Sequence, residues 1–149
     1  MIEQRGNMWD AWKEADLFCI TTCSTLKVDG RLVMGAGIAK EAVTRFPGID
    51  LQAGRMLELL YPNGTHKQYG LLELPGTKLG LFQTKGSWSD KANLELIKYA
   101  TSRLQTWADQ HPNKTAHLNY PGIGCGGLAR KLVHPVIAVL PDNITVWSK

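Results

Sequence analysis

Residues 115–140 read TAHLNYPGIGCGGLARKLVHPVIAVL. Three pieces lie end to end in that stretch: a short apolar-alternating run suited to a strand (115–120), a loop with four glycines between positions 122 and 127, and a helix-like segment (129–140) that Pro135 should kink. The same order recurs upstream. The compact apolar run DLFCIT (16–21) leads through a polar stretch to VMGAGIAKEA (33–42), where a second glycine loop opens a helix. Strand, glycine loop and helix, met twice, indicate an α/β domain. In such domains ligands sit beyond the carboxyl ends of the strands, where both loops fall.

The remaining segments agree. MIEQR at the start and ITVWS (144–148) read as strands. GIAKEAVTRF (37–46) and DLQAGRMLELL (50–60) read as helices split by Pro47-Gly48. KQYGLLEL (67–74) and KLGLFQT (78–84) read as two strands joined by a turn. In residues 89–110, Ile97, Ala100, Leu104 and Trp107 recur at spacings of three and four, which predicts a helix with Ser89 as its N-cap and Pro112 just beyond its end. The expected architecture is a three-layer α/β/α sandwich around a mixed sheet, formed by 149 residues as one domain.

Composition narrows the functional classes. Hydrophobic residues make up 44% and charged residues 20%, ordinary for a soluble globular domain. No stretch approaches the roughly 18 apolar residues of a membrane span, and the first ten residues lack a signal-peptide pattern, so a cytoplasmic monomer without membrane partners is expected. Cys19, Cys23 and Cys125 match no common zinc spacing and are expected as free thiols. The four histidines show no metal spacing either, so neither metal nor cofactor is expected. The net charge of +4 comes from scattered lysines and arginines, which favours anionic ligands without forming a basic stripe.

Glycines before a helix N-terminus let backbone N–H groups and the positive end of the helix dipole approach a phosphate. Neither loop has the Gly-Lys-Ser/Thr of a Walker loop. Gly122, Gly124 and Gly127 fit the spacing of the dinucleotide pattern, but too few residues follow for the next strand and its ribose-binding acid.

Taken together, GNMWDAWKEADLFCITTCSTLKVDGRLVMGAGIAKEA (6–42) and YPGIGCGGL (120–128) resemble the macro domain, the module that binds ADP-ribose. The resemblance spans nearly the whole chain. It is closest to the branch containing the terminal ADP-ribose protein glycohydrolase and the antitoxins that reverse DNA ADP-ribosylation. That branch's motifs stand here as Met34-Gly35-Ala36-Gly37, Thr84-Lys85 and Gly124-Cys125-Gly126. The resemblance implies a glycine loop, flanked by Pro121 and Leu128 and running through Gly122, Ile123, Gly124, Cys125, Gly126 and Gly127, around the diphosphate and distal ribose. Met34, Gly35, Gly37 and Ile38 would close the other side. Thr22, Ser24 and Thr25 would supply polar contacts, and Asn7 with Met8 would meet the adenine.

In the related hydrolases the lysine at the place of Lys85 attacks the anomeric carbon of the distal ribose, and its amine must first shed a proton. Two departures from the family pattern stand out. An acid that follows the Gly-Cys-Gly loop in the relatives is absent from Gly127-Leu128-Ala129-Arg130, and such proton transfer contributes about 10²–10⁴-fold in rate. Asp29, Glu41 and Asp90 are the possible substitutes. The adenine-reading acid is replaced by Asn7, a neutral and weaker acceptor. Cys125 reads as a small residue filling a tight loop, and His134 before Pro135 as structural. Three functions follow from the resemblance: release of ADP-ribose from a modified protein or DNA, dephosphorylation of ADP-ribose 1″-phosphate, or non-catalytic ADP-ribose binding.

Overall fold

In a computed structural model of the chain, residues 1–64 and 67–149 are described. Strands β1 (Ile2–Arg5), β2 (Leu17–Thr22), β3 (Leu71–Glu73), β4 (Leu79–Gln83), β5 (Ala116–Asn119) and β6 (Ile144–Ser148) form one sheet in the order β1-β6-β5-β2-β4-β3. All neighbours are parallel except β3, which runs against β4 at one edge. The helices are α1 (Gly37–Arg45), α2 (Ile49–Leu60), α3 (Leu94–Gln110) and α4 (Arg130–Ile137).

Alternation along the central strands builds two cores, because successive side chains point to opposite faces of a sheet. Phe18 and Ile20 of β2, with Leu79 and Leu81 of β4, pack on one face beneath α1, α2 and the segment 8–15. Leu17 and Cys19 of β2, Phe82 of β4, and Ala116 and Leu118 of β5 face Ile97, Ala100 and Leu104 of α3 and Val133 and Ile137 of α4. The fold is therefore a three-layer α/β/α sandwich around a mixed sheet. Cys19, Cys23 and Cys125 are free thiols. No described helix is long and apolar enough to cross a membrane.

Several boundaries differ from the sequence reading. Helix α3 starts at Leu94, not near Ser89: Asn93 caps it, its Oδ1 accepting from the amides of Glu95 and Leu96, while the Ser89 hydroxyl pairs with Ser87. The strand expected over 67–74 shrinks to three residues, because the amides of Tyr69 and Gly70 donate to the Gln83 side chain rather than to a ladder. The sequence reading has no 3₁₀ turn at Met8–Ala11, nor the one at Gly124–Gly126 within the glycine loop. Pro135 sits in the last turn of α4, which closes at Ile137 rather than 140.

Candidate functional site

Because β1, β6, β5, β2 and β4 are parallel, their carboxyl ends share one edge of the sheet. A cleft of about 1260 Å³ opens there. Its lining is drawn from the residues that follow those strands: Gly6–Trp9 after β1, Cys23 after β2, Thr84 and Lys85 after β4, Tyr120 and Gly122–Gly126 after β5, and Lys149 after β6. Helix α1 and its approach, Val33 to Ala39 with Glu41, close the opposite wall.

The two glycine loops face this cleft. Ala36, the N-cap of α1, makes no side-chain cap bond, so the first amides of the helix are left to whatever occupies the cleft. On the other wall, Gly122 and Leu128 close the loop through the Leu128 amide and Gly122 carbonyl (2.8 Å). Among the described residues the amides of Ile123, Gly124 and Cys125 donate to no protein acceptor. Such donors favour an anion. Gly126 serves another purpose: a Cβ there would stand 2.9 Å from the Ala92 Cβ, at the approach to α3. The bare backbone at 122–127 thus meets two needs, close packing on α3 and free amides toward the cleft.

Lys85 is half-buried, and its Nζ donates across the cleft to the Cys125 carbonyl at 3.3 Å, joining β4's exit to the glycine loop. Its backbone is fixed from below. Gln83, fully buried, donates to the carbonyls of Lys67 (2.8 Å) and Lys85 (3.2 Å) and accepts from the amides of Tyr69 and Gly70. Both the amide and the hydroxyl of Ser24 donate to the Gly86 carbonyl at 2.9 Å, and Thr25 Oγ1 accepts from the Trp88 amide at 3.0 Å. Burial pushes the Cys23 thiol above its ordinary value, with hydrogen bonds to Thr25 and the positive charge of Lys85 pulling it partly back.

Of the residues expected at the site, Asn7, Met8, Thr22, Met34, Gly35, Gly37, Ile38, Lys85, Gly122, Ile123, Gly124, Cys125 and Gly126 line the cleft together. Ser24, Thr25, Pro121, Gly127 and Leu128 are not part of that lining. Ser24 and Thr25 fasten the Gly86–Trp88 segment, and Leu128 packs on the α3–α4 core. The hydroxyl of Thr22 is engaged with that of Tyr69 at 2.6 Å. Of the three substitute acids, Glu41 lines the cleft; Asp29 pairs with Arg31 (3.2 Å), and Asp90 lies outside the lining.

The sequence reading missed several lining residues. Thr21 and Asn119, at the ends of adjacent strands, hold each other by two bonds, Thr21 N to Asn119 Oδ1 (3.0 Å) and Asn119 Nδ2 to Thr21 Oγ1 (2.9 Å). Trp9, Lys27, Arg130 and Trp147 also line the cleft, with Arg130 stacked 4.1 Å over the Tyr120 ring. Only position at a strand's carboxyl end could have marked Thr21, Asn119 and Trp147 in advance. Among the described residues no group of three or more His, Cys, Asp or Glu side chains could hold a metal ion.

This architecture is that of the macrodomain. The sequence matches no protein-family model and no curated protein. Among solved structures the chain is similar to the macrodomain of Mycobacterium tuberculosis DarG (TM-score 0.72, 19% identity, covering 99% of this chain and 97% of that one). It is likewise similar to the macrodomain of Thermus aquaticus DarG (TM-score 0.61, 20% identity, 98% and 95% covered). A third likeness is to Thermosipho africanus DarTG in complex with ADP-ribose (TM-score 0.64, 18% identity), where the match covers 98% of this chain and 41% of that one. At these identities the likeness establishes the fold.

Proposed function

We propose that the cleft binds ADP-ribose and that the protein releases ADP-ribose from a modified macromolecule, protein or DNA, with Lys85 as the nucleophile. One observation carries the reading: Lys85 Nζ lies on the glycine loop's own backbone, 3.3 Å from the Cys125 carbonyl, beside amides that have no acceptor among the described residues. A diphosphate held by the loops of residues 122–127 and 34–38 would lay the sugar beyond it against Lys85. Part of the Thermosipho africanus DarTG chain, whose structure is a complex with ADP-ribose, shares this fold, which supports that ligand.

In this mechanism the neutral amine of Lys85 attacks C1″ of the distal ribose as the bond from C1″ to the macromolecule breaks, and the leaving atom takes up a proton released by the amine. The glycosylamine so formed opens at its C1″–O4″ bond to an imine, O4″ taking up the remaining proton of the amine. Water then adds to the resulting imine, returning the amine and free ADP-ribose. Positioning is the protein's main contribution: Gln83, Ser24 and Thr25 fix the backbone on either side of the lysine.

The absence of an acid in Leu128-Ala129-Arg130 favours a second reading, a non-catalytic ADP-ribose binder. Lys85→Ala separates the two. With ADP-ribosylated protein and oligonucleotide substrates, the hydrolase reading expects wild-type turnover, a loss of about 10³-fold or more in the variant, and retained ADP-ribose affinity. Borohydride should trap an ADP-ribose adduct on the wild type alone. Turnover unchanged by the substitution excludes Lys85 as nucleophile, and no turnover by either protein leaves the binder.

A further inference from the structure

Glu41 is an acid facing a cleft whose loops suit an anion. A carboxylate beside a diphosphate is repelled, so its presence in the lining has to be matched by a hydrogen-bond donor on the ligand. Its surroundings locate that donor. Trp9 Nε1–H donates to Glu41 Oε2 at 2.7 Å, which fixes the carboxylate and leaves Oε1 to accept. Trp9 is itself braced, stacked on Phe18 at 4.6 Å with Arg45 4.3 Å over its ring. The Trp9 amide in turn donates to Asn7 Oδ1 at 3.1 Å, so what Asn7 has left to offer is its NH₂ group. Met8 and Trp147, which also line this corner, make it apolar and aromatic, suited to a flat base rather than to a sugar.

We infer that Glu41 reads the nucleobase: its free carboxylate oxygen accepts from the amine of a 6-amino purine and repels the carbonyl of a 6-oxo purine. Adenine offers an amine donor at position 6 and a ring-nitrogen acceptor at position 1. Hypoxanthine offers a carbonyl and an N–H in the same places. Charge on Glu41 strengthens the bond to the amine. Selectivity for adenine over hypoxanthine is therefore assigned to α1, not to Asn7 alone. This inference rests on the ADP-ribose reading of the cleft.

The test is calorimetric titration of wild type, Glu41→Gln and Glu41→Ala with ADP-ribose and with its hypoxanthine analogue, inosine diphosphate ribose. Wild type should prefer ADP-ribose by about tenfold or more. In Glu41→Gln the Trp9 N–H claims the amide oxygen, turning the NH₂ toward the base, so the preference should reverse. Glu41→Ala should bind both ligands within about threefold of each other. Melting temperatures within a few degrees of wild type serve as the folding control, and the Gln variant, which keeps the bond to Trp9, stays informative if the Ala variant unfolds. Tight binding of both ligands by wild type, or an unchanged preference in Glu41→Gln, overturns the role of Glu41 while leaving the ADP-ribose site standing. Failure of wild type to bind either ligand overturns the site and this inference with it.

Discussion

The glycine loop makes a demand on stability that three single substitutions can take apart. At Gly122 the backbone is left-handed (φ 80°), and a Cβ would lie 2.7 Å from Ile97 Cδ1 and 3.2 Å from Leu128 Cδ1. Ile97 is fully buried, so its methyl has little room to turn away. A left-handed alanine costs about 1–2 kcal/mol, and overpacking a filled core about 1–3 kcal/mol. Gly122→Ala should therefore lose about 2–5 kcal/mol. At Gly124 the backbone is also left-handed (φ 66°), but nothing stands within 4 Å of a Cβ, so only the strain of about 1–2 kcal/mol applies. At Gly126 the backbone is not left-handed, and the cost comes from the 2.9 Å approach to Ala92, tied in place by the Ala92 amide donating to the Gly126 carbonyl (2.8 Å). That variant should lose about 1–3 kcal/mol. Urea unfolding followed by tryptophan fluorescence reads the difference. With a slope of about 2 kcal/mol per molar, the midpoint should fall by about 1–2.5 M for Gly122→Ala and by no more than about 1 M for Gly124→Ala. Equal shifts in the two would refute the packing half of the reasoning, and no shift in Gly124→Ala would refute the strain half.

Two further perturbations reach the residues beneath the cleft. Gln83→Leu leaves two amides and two carbonyls without their partner in a buried place; at about 1–3 kcal/mol each, softened by rearrangement, the loss should reach about 3–6 kcal/mol in the same urea assay, and a loss under about 1 kcal/mol would show that water replaces the side chain. His117 is 5% exposed and accepts from Trp147 Nε1 at 2.8 Å; burial lowers its pKa below the ordinary value, Glu14 opposing in part. Below about pH 6.5 the unfolded chain takes up a proton that the folded chain resists, so this contribution is complete above about 6.5 and drains away as pH falls toward the lower folded value. Stability measured from pH 7.5 to 5 should decline less steeply in His117→Gln than in wild type, and identical slopes would remove His117 from the account.

The layered fold was legible because its strands announce themselves by alternation and its helices by three-and-four spacing. Phe18 and Ile20 against Leu17 and Cys19 already describe a sheet covered on both faces. Both glycine loops were legible as well, since no other residue type offers so much open backbone. What escaped was set by contacts distant in sequence. The start of α3 went to Asn93 rather than Ser89 because the preceding residues are occupied elsewhere: the Ala92 amide bonds Gly126, and that of Asn93 the Thr84 carbonyl. The hydrogen bonds of Gln83 reach back 13 to 16 residues to Gly70, Tyr69 and Lys67, and no local pattern marks them. Glu41 was one acid among three candidates in the sequence. Its place in the cleft, and the bond from Trp9 across 32 residues, needed the packing of α1 beside the 3₁₀ turn that follows β1.

The most direct measurement is calorimetric titration of the protein with ADP-ribose, with AMP and NAD as controls. The free amides of the two loops should hold a diphosphate carrying a distal ribose, so micromolar binding of ADP-ribose with much weaker binding of AMP is expected. Absence of ADP-ribose binding, or AMP binding as tight as that of ADP-ribose, would contradict the assignment of the cleft to this ligand and leave the macrodomain as a fold without its nucleotide.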